Sequence, residues 1–88
     1  MPEVVVYLSP FCPYCVRAEA LLEKKGVRYR TINVGNDPAL WAEMEAKSRR
    51  STVPQIFIGD HHVGGYDDMA ALDAEGRLDP LLGITRDA

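Results

Sequence analysis

The stretch Val4-Val5-Val6-Tyr7-Leu8-Ser9-Pro10-Phe11-Cys12-Pro13-Tyr14-Cys15 decides how the chain is read. Its opening is short, β-branched and nearly continuous in apolar character, which predicts a strand over residues 3–8. A strand buried on both faces belongs to a sheet with parallel pairing and helices alongside. Ser9-Pro10-Phe11 breaks the pattern into a loop. Pro13 suits the first position of a helix, where its missing N–H has no partner to lose. That puts Cys12 at the N-cap, facing the unpaired amides of the first turn. Cys12 and Cys15 are the only cysteines among the 88 residues.

Outward from this stretch, Cys15, Ala18 and Leu22 recur at helical spacing and form an inward stripe, with Leu21 beside it. Lys24-Lys25-Gly26 closes the helix with cations at the negative end of the dipole and a glycine for a left-handed cap. Residues 27–34 read as a second strand, with Tyr29 and Thr31 opposed to Ile32 and Val34. Arg28 and Arg30 mark it as an edge or as wet on one face. Asp37 and Pro38 open a second helix as cap and first residue, running to Ser48 and burying Leu40, Trp41 and Met44. A polar, basic loop from Arg49 to Val53 leads through Pro54 to a third strand, Gln55-Ile56-Phe57-Ile58. Gly59-Asp60 turns the chain into a short fourth strand, His61-His62-Val63, in an antiparallel hairpin. Gly64-Gly65 follows, and Asp67 or Asp68 is expected to cap a third helix through Met69 and Leu72 to Gly76. Leu78, Leu81 and Leu82 add one helical turn, and residues 84–88 are expected to fray.

The order βαβαββα predicts an α/β protein with a four-stranded mixed sheet, a right-handed parallel βαβ unit and one domain over residues 1–88. The composition, 47% apolar and 26% charged with a net charge of −3, is that of a globular protein without a basic face for nucleic acid. The apolar runs fall far short of the ~20 residues that span a bilayer. Met1-Pro2-Glu3 does not resemble the basic start of a secretory signal, so a cytoplasmic monomer is expected. No metal is expected. His61 and His62 are adjacent, and strand neighbours point to opposite faces, so both are read as solvated strand-end side chains.

Two cysteines, three apart at a helix start, carry the chemistry. A thiol reacts as its thiolate, and the amides and partial positive charge of a helix N-terminus favour an anion. Cys12 is therefore the nucleophile. Cys15 lies one turn in on the same face, less exposed and more firmly protonated, placed to resolve a mixed disulfide. The alternative, a bridge kept for stability, would close too small a loop to constrain the unfolded chain as much as the ~3 kcal/mol of a 15-residue loop. A C-x-x-C pair between a strand and a helix in a βαβ pattern is the form of a thioredoxin-like redox site.

The chain resembles the glutaredoxins of the small dithiol class in three motifs that occur in that family's order and spacing. These are Cys12-Pro13-Tyr14-Cys15, Thr52-Val53-Pro54, and Gly64-Gly65-Tyr66-Asp67-Asp68. The resemblance implies a thioredoxin-like fold and a glutathione-dependent oxidoreductase acting on protein disulfides and glutathionylated proteins. It implies a glutathione site along Thr52 and Val53, with the Val53 backbone pairing to the cysteinyl unit and Pro54 cis. Gly65, Asp67 and Asp68 would hold the γ-glutamyl end, Arg50 would attract the glycyl carboxylate, and Tyr14 would pack beside the sulfur. One departure matters. Many relatives carry a lysine a few residues before the first cysteine, whereas Ser9 stands there here, leaving Arg50 more of the carboxylate contact. Two other activities fit the same cysteines: a thioredoxin-reductase-coupled redoxin, and a dimeric carrier of a glutathione-ligated iron–sulfur cluster.

Overall fold

The computed structural model describes residues 2–84. Eight elements follow in order: β1 (Val4–Leu8), α1 (Pro13–Lys24), β2 (Arg30–Asn33), α2 (Pro38–Ser48), β3 (Gln55–Ile58), β4 (His61–Gly64), α3 (Tyr66–Ala74) and α4 (Leu78–Leu82). The sheet order is β2-β1-β3-β4, with β1 parallel to β2 and antiparallel to β3, and β3 antiparallel to β4. The mixed four-stranded sheet expected from the sequence is present.

The period of two along β1 divides the core. Val4 and Val6 join Ile56, Ile58 and Val63 on one face, beneath Ala18 and Leu22 of α1, Met69 of α3, and Leu78 and Leu82 of α4. Val5 and Tyr7 point to the other face, where Val34 and Met44 close over them. β1 is thus one of the two central strands, and its C-terminal end delivers the chain to the cysteine loop.

Local signals fixed the ends of the first two helices. Pro13 and Pro38 stand at helix starts, and the Asp37 carboxylate accepts from the amides of Ala39 and Leu40, both at 3.1 Å. Gly26 follows α1 at φ +71°, as a left-handed cap requires. Lys25 is held by Asp73 at 2.5 Å and Asp79 at 2.7 Å, which ties the end of α1 to α3 and α4.

Three expectations are corrected. The second strand begins at Arg30, because the residues before it stay with α1: Val27 donates to Leu22 O at 3.5 Å and the Tyr29 hydroxyl to Glu19 at 3.2 Å. The third helix begins at Tyr66 with Gly65 as its cap, and Asp68 caps it from inside, its Oδ2 accepting the Gly65 amide at 2.9 Å. Ile84 is not frayed: its amide donates to Asp79 O at 2.9 Å and its side chain packs on the core. The rest of that predicted end, 85–88, lies outside the described residues.

Candidate active site

Cys12 is the N-cap of α1, in extended conformation, and its sulfur accepts the amide of Cys15 at 3.2 Å. Both thiols are free. They differ in setting: Cys12 is half-buried, while Cys15 faces the core with 2% exposure. Burial, and then the hydrogen bond with Cys12, push the Cys15 thiol up to about 12. The inner sulfur holds its proton at neutral pH, as the sequence reading expects.

The loop before β3 stands opposite. The Val53-Pro54 peptide is cis, and Val53 O lies 3.9 Å from Cys12 Sγ. From this loop Arg50, Thr52, Val53 and Pro54 line a groove whose other walls are Tyr14 from α1 and Gly65, Tyr66, Asp67 and Asp68 from the start of α3. The eight residues assigned from sequence to glutathione therefore meet in one groove beside the Cys12 sulfur.

One wall of the groove carries an ion pair. Arg50 Nη1 pairs with Asp68 Oδ2 at 2.9 Å, and the same oxygen takes the Gly65 amide. The Gly65 N–H first, and then Arg50, hold the Asp68 carboxyl below the usual carboxylate range. Gly64 permits this arrangement. It sits at φ +113°, and an added Cβ there would collide with the Asp68 carboxylate and come within 3.1 Å of Arg50 Nη1. At the mouth, the Tyr14 ring lies 6.5 Å from that of Tyr66, with Arg17 over its face at 5.4 Å.

Sequence reasoning missed three contributors. Tyr66 lines the groove; its place inside the glycine–aspartate segment was the signal for it. Gln55 was read only as a strand residue, yet it is fully buried and holds Thr52. His62 was expected to be solvated. It is half-buried, stacked on Phe57 with ring centroids 4.8 Å apart, and bonded to Gln55 at 2.8 Å; His61 is exposed. Among the described residues no group of three or more His, Cys, Asp or Glu is arranged to hold a metal ion.

A sulfur capped by a helix amide, backed by a protonated partner and faced by a cis-proline loop, is placed to exchange disulfides. The class so defined is a thiol–disulfide oxidoreductase. The comparisons narrow it: residues 4–63 match the glutaredoxin family model. A glutaredoxin of Pseudomonas aeruginosa is 51% identical over 82 residues, covering 93% of this chain and 98% of that one. The solution structure of a Brucella melitensis glutaredoxin superposes with a TM-score of 0.84 at 50% identity, covering 100% of this chain and 96% of that one. A buckwheat glutaredoxin–glutathione complex superposes with a TM-score of 0.85 at 33% identity, covering 93% and 77%. The chain belongs to the glutaredoxin family. Its fold is thioredoxin-like and it is a glutathione-dependent thiol oxidoreductase.

Proposed function

We propose that the groove beside Cys12 holds the glutathionyl group of a glutathionylated protein while Cys12 takes it over. The Cys12 thiolate attacks the glutathione sulfur, the protein–glutathione S–S bond breaks, and the protein leaves as its thiolate. A second glutathione thiolate then attacks the glutathione sulfur on Cys12, forming oxidised glutathione and restoring the Cys12 thiolate. In the dithiol route Cys12 forms a mixed disulfide with one sulfur of a protein disulfide. Cys15 gives up its proton, attacks the Cys12 sulfur and expels the protein thiolate. Two glutathiones reduce the resulting Cys12–Cys15 bridge.

The observation that carries this reading is the convergence of Tyr14, the loop from Arg50 to Pro54 and the start of α3 on one groove next to Cys12 Sγ. Asp67 and Asp68 suit the γ-glutamyl ammonium, and the Tyr66 end of α3 suits its carboxylate. The Arg50 guanidinium uses Nη1 on Asp68 and has further N–H donors for the glycyl carboxylate, in the role given elsewhere in the family to the lysine before the motif. The site takes protein substrates as a monomer in the cytoplasm. Phe11, Tyr14 and Val16, the large apolar side chains most exposed among the described residues, surround the motif and give an apolar rim. No helix among the described residues is long and apolar enough to cross a membrane.

Cysteine variants test the assignment in an assay coupled to glutathione and glutathione reductase. Cys12→Ser abolishes turnover. Cys15→Ser keeps reduction of a glutathionylated peptide and loses most reduction of a protein disulfide. Full activity in Cys12→Ser overturns the roles.

A further inference from the structure

Behind the groove lies a polar chain, buried at its middle, that no reaction step uses. Gln55 opens β3 with 0% exposure. Its Nε2 donates to Thr52 O at 3.0 Å and to Thr52 Oγ1 at 3.2 Å. A carbonyl only accepts, so the amide has one orientation, which leaves Gln55 Oε1 facing His62 Nε2 at 2.8 Å. The amide oxygen also only accepts, so His62 Nε2 carries the hydrogen. The Phe57 ring stacked at 4.8 Å and 28° holds the imidazole in that plane. Donation therefore runs one way, from His62 on β4 through Gln55 on β3 to Thr52. Thr52 Oγ1 is used as an acceptor, and its own hydroxyl hydrogen remains to be donated from the groove wall it forms.

We infer that Gln55 and His62 are positioning residues which make the Thr52 hydroxyl a hydrogen-bond donor to the peptide in the groove. This rests on the reading that the groove holds glutathione. The group recognised is then an acceptor, a carbonyl or carboxylate of the tripeptide. The relay selects glutathionylated substrates over plain disulfides, which have no tripeptide to place against Thr52. Reversing the Gln55 amide would turn its oxygen toward two oxygens of Thr52. Without His62 the Gln55 oxygen is buried with no donor, and the amide's hold on Thr52 is weakened.

The test uses the pre-reduced protein in single turnovers with a glutathionylated peptide and, separately, a plain peptide disulfide. His62→Phe keeps the ring against Phe57 and removes the donor. It should lower kcat/KM for the glutathionylated peptide about fivefold, the scale of one net hydrogen bond, through KM. The plain disulfide should stay within about twofold. His62→Gln, which carries an amide N–H, should restore most of the loss. Thr52→Val should lower kcat/KM for the glutathionylated peptide by at least as much, and adding His62→Phe to it should cost nothing more, since both act through one hydroxyl. If His62→Phe does not fold, Gln55→Glu carries the comparison, because it still accepts from His62 and no longer donates to Thr52.

Unchanged selectivity in a folded His62→Phe overturns the relay, as does a full multiplicative loss in the double variant, or equal loss on both substrates. If Thr52→Val and Asp68→Ala also leave the glutathionylated peptide unaffected, it is the glutathione groove that has failed. Thr52→Val and Asp68→Ala selective with His62→Phe silent means the groove stands and the relay does not.

Discussion

Two helix starts face the same groove, and they present opposite charge. At α1 the cap is a sulfur: Cys12 takes the amide of Cys15 at 3.2 Å, and no acidic residue occupies the first turn. At α3 the cap is a glycine, and Asp67 and Asp68 fill the first turn, with Asp68 reaching back to the Gly65 amide. The backbone dipole is alike in both. What differs is whether its positive end has been answered from within the chain. The α1 start carries the Cys12 sulfur and no carboxylate. The α3 start is lined with the Asp67 and Asp68 carboxylates.

The comparison breaks most completely at Gly64. A Cβ at φ +113° is strained by roughly 1–2 kcal/mol in its own backbone and also displaces Asp68 from Gly65 and Arg50. Gly64→Ala should lower kcat/KM for a glutathionylated peptide about tenfold or more, the equivalent of ~1.4 kcal/mol. Cys12 alkylation should stay near the native rate, because α1 is untouched. A loss of both together would mean that the two helix starts do not act separately.

The converse change adds a carboxylate to α1. Val16 is 64% exposed at the end of the first turn, so Val16→Glu has room. It should slow alkylation of Cys12 about two- to fivefold near neutral pH, the range of helix-dipole charge effects, and less so in high salt. A rate equal to native at low salt would show that charge at this helix start does not reach the sulfur.

The same two starts show how far sequence carries. The α1 start was readable to the residue, because Pro13 has one comfortable place in a helix and Cys12 precedes it. Asp37-Pro38 was readable for the same reason. The α3 start was displaced, because either aspartate makes a sound cap by itself. Only the fold, with Arg50 across the groove and Gly64 allowing close approach, draws Asp68 to N3 and leaves Gly65 at the cap. His62 and Gln55 were hidden for a deeper reason. Alternation along a strand says that His61 and His62 point apart, but not which one meets a buried amide. That depends on the β3–β4 register, which sets His62 against Phe57. The groove residues were legible as motifs, whereas the polar chain behind them exists only through strand pairing.

The last effect concerns the inner thiol, which sits in the first turn of α1 directly beneath the Cys12 cap. In the folded protein Cys15 keeps its proton up to about 12, against an ordinary value of 9.0, chiefly because it is buried. Between those values the unfolded chain has shed a proton that the folded chain retains, so unfolding is favoured progressively as pH rises. The stability this thiol contributes is complete below about pH 9 and is lost on the way to about 12. Serine does not ionise in this range. Under reducing conditions the difference in Tm between the native protein and Cys15→Ser should be constant up to about pH 9, then shift against the native protein above it. Tyr29, also raised to about 12, is present in both proteins and largely cancels in the difference. A difference that stays flat through this window would mean that the buried sulfur ionises as easily folded as unfolded, and the division between a reacting and a protonated thiol would lose its physical basis.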